Sequence, residues 1–176
     1  MLVSAEHPVT PANRRGCWWM VFVLVALTLC GGGTGAGLLS LAAEPNQIRT
    51  MLMPARVEVT AGESFELTLT IENVSLDTVR ITGVGLDGSL YDALRLERLE
   101  PAFQAVHTRD YPLLGEWTEY TLNRQVFAGE KLTVTLTLTA LRPGLVSGDV
   151  LVWVQDRLLG MSFERARREL LAVDIR

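Results

Sequence analysis

Two kinds of hydrophobic patterning divide this chain. Across the 27 residues from Cys17 to Ala43, apolar and small side chains follow one another without a single charge, whereas from Ser64 onward apolar and polar residues alternate. The first pattern has the length of a membrane span, since as a helix it rises about 40 Å against a bilayer hydrocarbon core of about 30 Å. The second has the period of a β-strand, in which successive side chains point to opposite faces.

Alternation is clearest at Phe65, Leu67, Leu69 and Ile71, set against Glu66, Thr68, Thr70 and Glu72. It returns at Leu132, Val134, Leu136, Leu138 and Ala140, with Thr133, Thr135, Thr137 and Thr139 between them. Both segments predict half-buried antiparallel strands, and β-branched threonine suits the exposed face. Further strands are predicted at Val79 to Leu86, Tyr120 to Phe127, Val150 to Val154, Leu158 to Phe163 and Leu170 to Val173. Turn signals separate them at Ala61-Gly62, Asp87-Gly88, Ala128-Gly129, Pro143-Gly144 and Ser147-Gly148. One turn-plus-strand unit occurs twice, as TAGESFELTLTIE from Thr60 and FAGEKLTVTLTLT from Phe127, 67 residues apart. Two copies at that spacing do not make a solenoid; they predict a Gly-Glu turn that launches a core strand once in each half of a sandwich.

The order of an AGE turn, an alternating strand, Glu72-Asn73, a second strand and Leu86-Asp87-Gly88, followed by a second AGE turn and strand, Pro143-Gly144, Gly148 and a valine-rich strand, resembles the bacterial immunoglobulin-like modules of the CARDB type. The resemblance covers roughly residues 54 to 173 and implies an all-β fold, an Ig-like antiparallel β-sandwich of about seven strands used for adhesion or scaffolding. The chain departs from that group where its usual Asn-x-Gly stands as Asn73-Val74-Ser75, which predicts a loop of different shape. The same triplet matches a glycosylation acceptor and is read as a turn. The expected organisation is an N-terminal tail over 1–16, a transmembrane helix or signal anchor over 17–43, a linker over 44–53 and the sandwich over 54–176.

Arg14 and Arg15 precede the span and predict a cytoplasmic N-terminus with residue 44 onward extracytoplasmic, a single-pass protein of a bacterial cell membrane. Trp18 and Trp19 suit the membrane interface beside them, where an indole keeps its N–H wet and its ring apolar. A cleaved signal peptide is the competing reading, with Ser40-Leu41-Ala42 as a small-x-small site before Ala43. The apolar run continuing through Leu38, Leu39 and Leu41 favours retention. Leu29 before Cys30 does not fit a lipoprotein signal, and the arginine pair alone does not make a twin-arginine signal. Gly31 with Gly35, and Gly33 with Gly37, have the spacing that lets helix backbones approach, so homo-oligomerisation through the span is one reading and a weak, flexible helix the other.

About 130 residues after the span suffice for one domain with a real core. Only Glu6, Arg14 and Arg15 of the charged residues precede Glu44, so the 20 acidic and 16 basic residues of the whole chain leave 19 and 14 beyond it. A mildly acidic exterior domain excludes nucleic acid as the expected partner, because phosphate binding needs concentrated positive charge. The one basic cluster, Arg165, Arg167 and Arg168, reads as a solvated strand face or an ion-pair surface with Glu164 and Glu169. Both cysteines, Cys17 and Cys30, lie in the span, so the exterior domain has neither a disulfide framework nor a thiolate metal site.

Little in the sequence points to a reaction. His107 has no nucleophile or acid placed by a motif, and no G-x-S-x-G occurs. Glu97 with Glu100, and Glu116 with Glu119, read as the solvated charges of an exposed connection. No enzyme activity, cofactor or metal is expected. The first functional reading is a membrane-held interaction or scaffold module with a protein partner in the envelope, contacted by Phe103, His107, Tyr111 and Trp117 on the connection from Tyr91 to Thr118; equally, these aromatics fill the end of the sandwich. The second is a secreted ligand-binding domain or small hydrolase using the same connection. A deep pocket lined by His107 and carboxylates would favour the second, a flat aromatic patch the first.

Overall fold

In the computed structural model, residues 44–111, 115–158 and 161–176 are described, and they build ten strands and one helical turn. The strands are β1 (Ile48–Met53), β2 (Arg56–Val59), β3 (Ser64–Asn73), β4 (Val79–Asp87), β5 (Leu94–Glu100), β6 (Ala105–Tyr111), β7 (Gly115–Val126), β8 (Lys131–Ala140), β9 (Gly144–Leu158) and β10 (Met161–Ile175), with α1 (Gly88–Tyr91) after β4. They form a four-stranded sheet ordered β1-β3-β8-β5 and a six-stranded sheet ordered β2-β10-β9-β4-β7-β6. The expected all-β sandwich is present, with more strands than the seven anticipated.

The alternating segments supply the core. Leu67, Leu69 and Ile71 of β3 and Val134, Leu136 and Leu138 of β8 are buried from one sheet, and Ile81, Val84, Leu122, Val152, Val154, Leu171 and Val173 from the other. Phe65, grouped with the core positions by its period, is only partly buried. The first strand is divided between the layers: β1 pairs antiparallel with β3, and β2, three residues on, pairs parallel with β10 in the opposite sheet. Both are thereby edge strands, and together they tie the layers to each other.

The repeated turn-strand units are not one to each sheet. β3 and β8 lie side by side and antiparallel in the same sheet, with Thr68 opposite Thr135 at the centre of the ladder. Each AGE turn closes on the far end of the other unit's strand. Gly62 N–H donates to Ala140 O and Ala140 N–H to Glu63 O, while Gly129 N–H donates to Asn73 O and Asn73 N–H to Glu130 O. Within each turn the glutamate carboxylate accepts the N–H of the residue three before it, Thr60 for Glu63 and Phe127 for Glu130. Since Thr68 and Thr135 are themselves 67 residues apart, a local two-fold axis passes between them and exchanges the two units.

Four further expectations are corrected. Ile48–Met53, in the segment read as a linker, is β1, buried at Ile48, Thr50 and Leu52. The stretch from Tyr91 to Thr118 is not a long connection but holds β5, β6 and the start of β7. The segment read as a strand from Leu158 to Phe163 is divided: Leu158 ends β9 and Met161 to Phe163 open β10, and these two strands pair over their full lengths. Asp87-Gly88, read as a turn, caps α1: the Asp87 carboxylate accepts the Ser89 N–H, and Leu90 is driven into the core. The transmembrane helix expected over 17–43, with Arg14, Arg15, Trp18, Trp19, Gly31 and Gly35, falls outside the described residues. Among the described residues no helix is long and apolar enough to cross a membrane.

Candidate functional site

The inner face of the six-stranded sheet belongs to the core; its outer face is where the sequence and the structure diverge most. Alternation requires that face to be polar, yet β9 carries Leu151 and Trp153 there, and β7 carries Trp117 and Glu119. Trp117, Leu151 and Glu119 are all buried. Between these strands β4 contributes Gly83 and Gly85. A Cβ on Gly85 would stand 3.2 Å from the Trp153 indole nitrogen and 3.4 Å from Leu151 Cβ, so the glycine lets the ring lie across β4. At Gly83 a Cβ would meet the Tyr120 carbonyl oxygen at 2.6 Å, beside the bulge that interrupts the β4 register between Ile81 and Gly83.

β6 completes the face with His107 opposite Glu119 and Arg109 opposite Trp117. The Arg109 guanidinium reaches Glu119 at 3.2 Å, compensating a carboxylate whose side chain is only 9% exposed. A shallow depression of about 50 Å³ lies among Thr82, Gly83, Arg109, Glu119, Thr121, Trp153 and Glu164. At its floor the buried Thr82 hydroxyl has no hydrogen-bond partner among the described residues. One or two water-sized polar groups fit there. The face is therefore a nearly flat patch, half-buried Trp153 at its centre, rimmed by Arg109, His107, Glu164 and Arg168.

The residues singled out from the sequence separate. His107 is exposed on this face. Trp117 shares the face but is buried, so it supports the patch rather than presenting a ring to solvent. Phe103 lies elsewhere, stacking edge-on against Tyr120 at a centroid distance of 5.2 Å, with Tyr120 on the core side of β7. Tyr111 ends β6 opposite Gly115. Trp153, Leu151, Gly83, Gly85 and Arg109 were not singled out, and Glu119, read as a solvated charge, is buried. The run Val150-Leu-Val-Trp-Val154 carried the signal, because a strand apolar on both faces has something to cover on each.

Three of the four carboxylates read as solvated charges are engaged in ion pairs: Glu97 with Arg95, Glu100 with Arg98 and Glu119 with Arg109. The Arg95 hydrogen bond, and then that from Thr139, hold Glu97 below the usual carboxylate range. On Tyr91, burial pushes the phenol up, partly offset by a hydrogen bond with Thr118. Among the described residues no group of three His, Cys, Asp or Glu side chains is placed to hold a metal.

The basic cluster has partners other than those expected. Arg165 pairs with Asp156 at 2.9 Å, Arg167 with Glu44 at 3.0 Å and Arg168 with Asp149 at 3.8 Å. Arg165 also donates to the Glu44 carbonyl, Gln47 donates to Asp156, and Thr50 donates to Glu169. The inner face of the first half of β10 is thus a polar seam that fastens residues 44–50 to the six-stranded sheet. Asp156 feels burial, which pushes its carboxyl up, but the Arg157 N–H, Arg165 and Gln47 together outweigh it and hold the carboxyl down.

A strand pair split between two sheets, over an otherwise antiparallel two-layer core, defines an immunoglobulin-like β-sandwich. No protein-family model matches the chain, and no curated protein sequence matches it. Solved structures of similar fold include a cohesin module from the Clostridium perfringens ATCC13124 family 33 glycoside hydrolase, 16% identical, covering 75% of this chain and all of that one with a TM-score of 0.43. The ASH/PapD-like domain of human CEP192 is 12% identical over 99% of this chain and 97% of its own, with a TM-score of 0.37. AvmM, which catalyses macrocyclization in alchivemycin A biosynthesis, is 12% identical over 74% and 90%, with a TM-score of 0.47. At such identities and TM-scores the likeness carries no activity across.

Proposed function

We propose that this chain is an extracytoplasmic Ig-like module, held at the membrane by residues 17–43, that works without catalysis as an interaction or scaffold protein of the bacterial envelope. Its partner is a protein, received on the outer face of the six-stranded sheet. The observation that carries this reading is the apolar floor of Trp117, Leu151 and Trp153 over Gly83 and Gly85, on a face that would otherwise be solvated. A rigid aromatic centre inside a charged rim is what protein interfaces present. The small volume of the depression beside Trp153 also supports a contact surface over a ligand-binding cleft.

The test is affinity capture of the tagged full-length chain from solubilised membranes, run beside a Trp153→Ser variant whose circular dichroism matches the parent. The reading expects a reproducible protein partner that the variant fails to retain. Identical recovery with both chains, or no reproducible partner at all, overturns it. Alkaline carbonate extraction tests the anchor separately: the chain should stay in the membrane pellet.

A further inference from the structure

One end of the sandwich carries three exposed apolar side chains on adjoining turns. Leu76 is 95% exposed, Val74 47% and Phe127 55%, and all three lie around the turn between β3 and β4 or the one leaving β7. Hydrogen bonds tie these turns together, from Asn73 Nδ2 to Val126 O at 2.8 Å and from Gly129 N to Asn73 O at 3.0 Å. The same end receives the chain: Val74 N–H donates to Gln47 O at 2.9 Å. Beside the loop opens a polar cleft of about 600 Å³ whose walls include Arg80, Arg157, Gln47, Gln125 and Gln155. Of the two carboxylates on its lining, Asp156 is engaged by Arg165 and Gln47, leaving Asp77.

We propose that this end is a bilayer-contacting face: Val74, Leu76 and Phe127 enter the headgroup layer, and Arg80 and Arg157 take the phosphates of anionic lipids. The inference rests on the anchored reading above. On that reading the chain itself limits the distance, because Gln47 lies four Cα–Cα steps beyond Ala43, a reach of at most about 14 Å. Loop 74–76 is bonded directly to Gln47, so a span ending at Ala43 holds it against an interfacial layer that is itself several ångströms deep. Apolar side chains at such a boundary bury about 5–10 Å, and arginines beside them gain from an anionic surface.

The experiment uses the full chain with Cys17→Ser and Cys30→Ala, carrying a fluorophore at Thr78→Cys or, at the opposite end, Leu145→Cys. It is reconstituted in phosphatidylcholine vesicles with or without phosphatidylglycerol, with nitroxide-bearing lipids as quenchers. Co-flotation with severalfold stronger quenching at position 78 than at 145 supports the face. Co-flotation with equal quenching at both positions overturns it and leaves the anchor standing. A chain that does not co-float overturns the anchored reading, and the face with it. In the phosphatidylglycerol vesicles, Val74→Ser with Leu76→Ser and Phe127→Ser should reduce quenching at 78 to the level seen at 145, and Arg80→Glu with Arg157→Glu should remove the dependence on anionic lipid. Unchanged quenching in the triple variant overturns the face, and unchanged lipid dependence in the double variant overturns the role of the arginines.

Discussion

Asn73 shows how much one side chain decides. It is fully buried, donates to Asp77 O and Val126 O, and accepts both the N–H and the hydroxyl of Ser75. With all four bonds made inside the fold, the amide of this Asn-x-Ser triplet is closed to a glycan and serves the turn. Asn73→Ala strands the buried Val126 carbonyl and undoes the Ser75 turn, and should cost about 2–3 kcal/mol, read as a lower midpoint of denaturant unfolding. Gly85→Val is the corresponding test of the sheet face: its side chain would drive the indole off β4, shifting Trp153 emission to the red and costing about 1–3 kcal/mol. Asp156 belongs to the pH response. Its carboxyl is held below its ordinary 3.8, so its contribution is complete above that value and is lost as pH falls through the folded-state value. Thermal unfolding should therefore weaken with acid below about pH 4, and less steeply in Asp156→Asn.

Among the elements, the paired AGE turns give the sharpest expectation. Gly62 has φ +90° and Gly129 φ +77°, conformations that L side chains rarely adopt, and neither would meet a neighbouring atom with an added Cβ. Gly62→Ala and Gly129→Ala should each cost about 1–2 kcal/mol from backbone strain alone, and by nearly equal amounts, since the local two-fold gives them the same surroundings. Unequal losses in matched unfolding curves would count against that symmetry. Such elements were legible because period two survives wherever one face is dry and the other wet, as in β3 and β8. β1 has the same period at Ile48, Thr50 and Leu52, but its position directly after the apolar span made it read as linker. In β5 a register shift between Leu96 and Arg98 breaks the alternation of Leu94, Leu96 and Leu99, and charge on the free edge hides the rest. The patch around Trp153 escaped because an apolar run reads equally well as a core strand buried once or a strand covered twice.

For the whole molecule, the lack of cysteine beyond residue 43 means that the sandwich is held by burial and ladders alone. Its thermal unfolding should be indifferent to reductant; a midpoint that moves with dithiothreitol would contradict this. The strand that begins the fold has a mechanical consequence. Glu44 is gripped by Arg165 and Arg167, and β1 runs on from there against β3 through six facing pairs, from Ile48 opposite Asn73 to Met53 opposite Thr68. A pull applied through residue 44 acts along this ladder, across its hydrogen bonds, so the pairs resist together instead of parting one at a time. In the anchored module proposed above, tension between a bilayer and a bound neighbour would meet the fold in shear along the whole β1–β3 ladder.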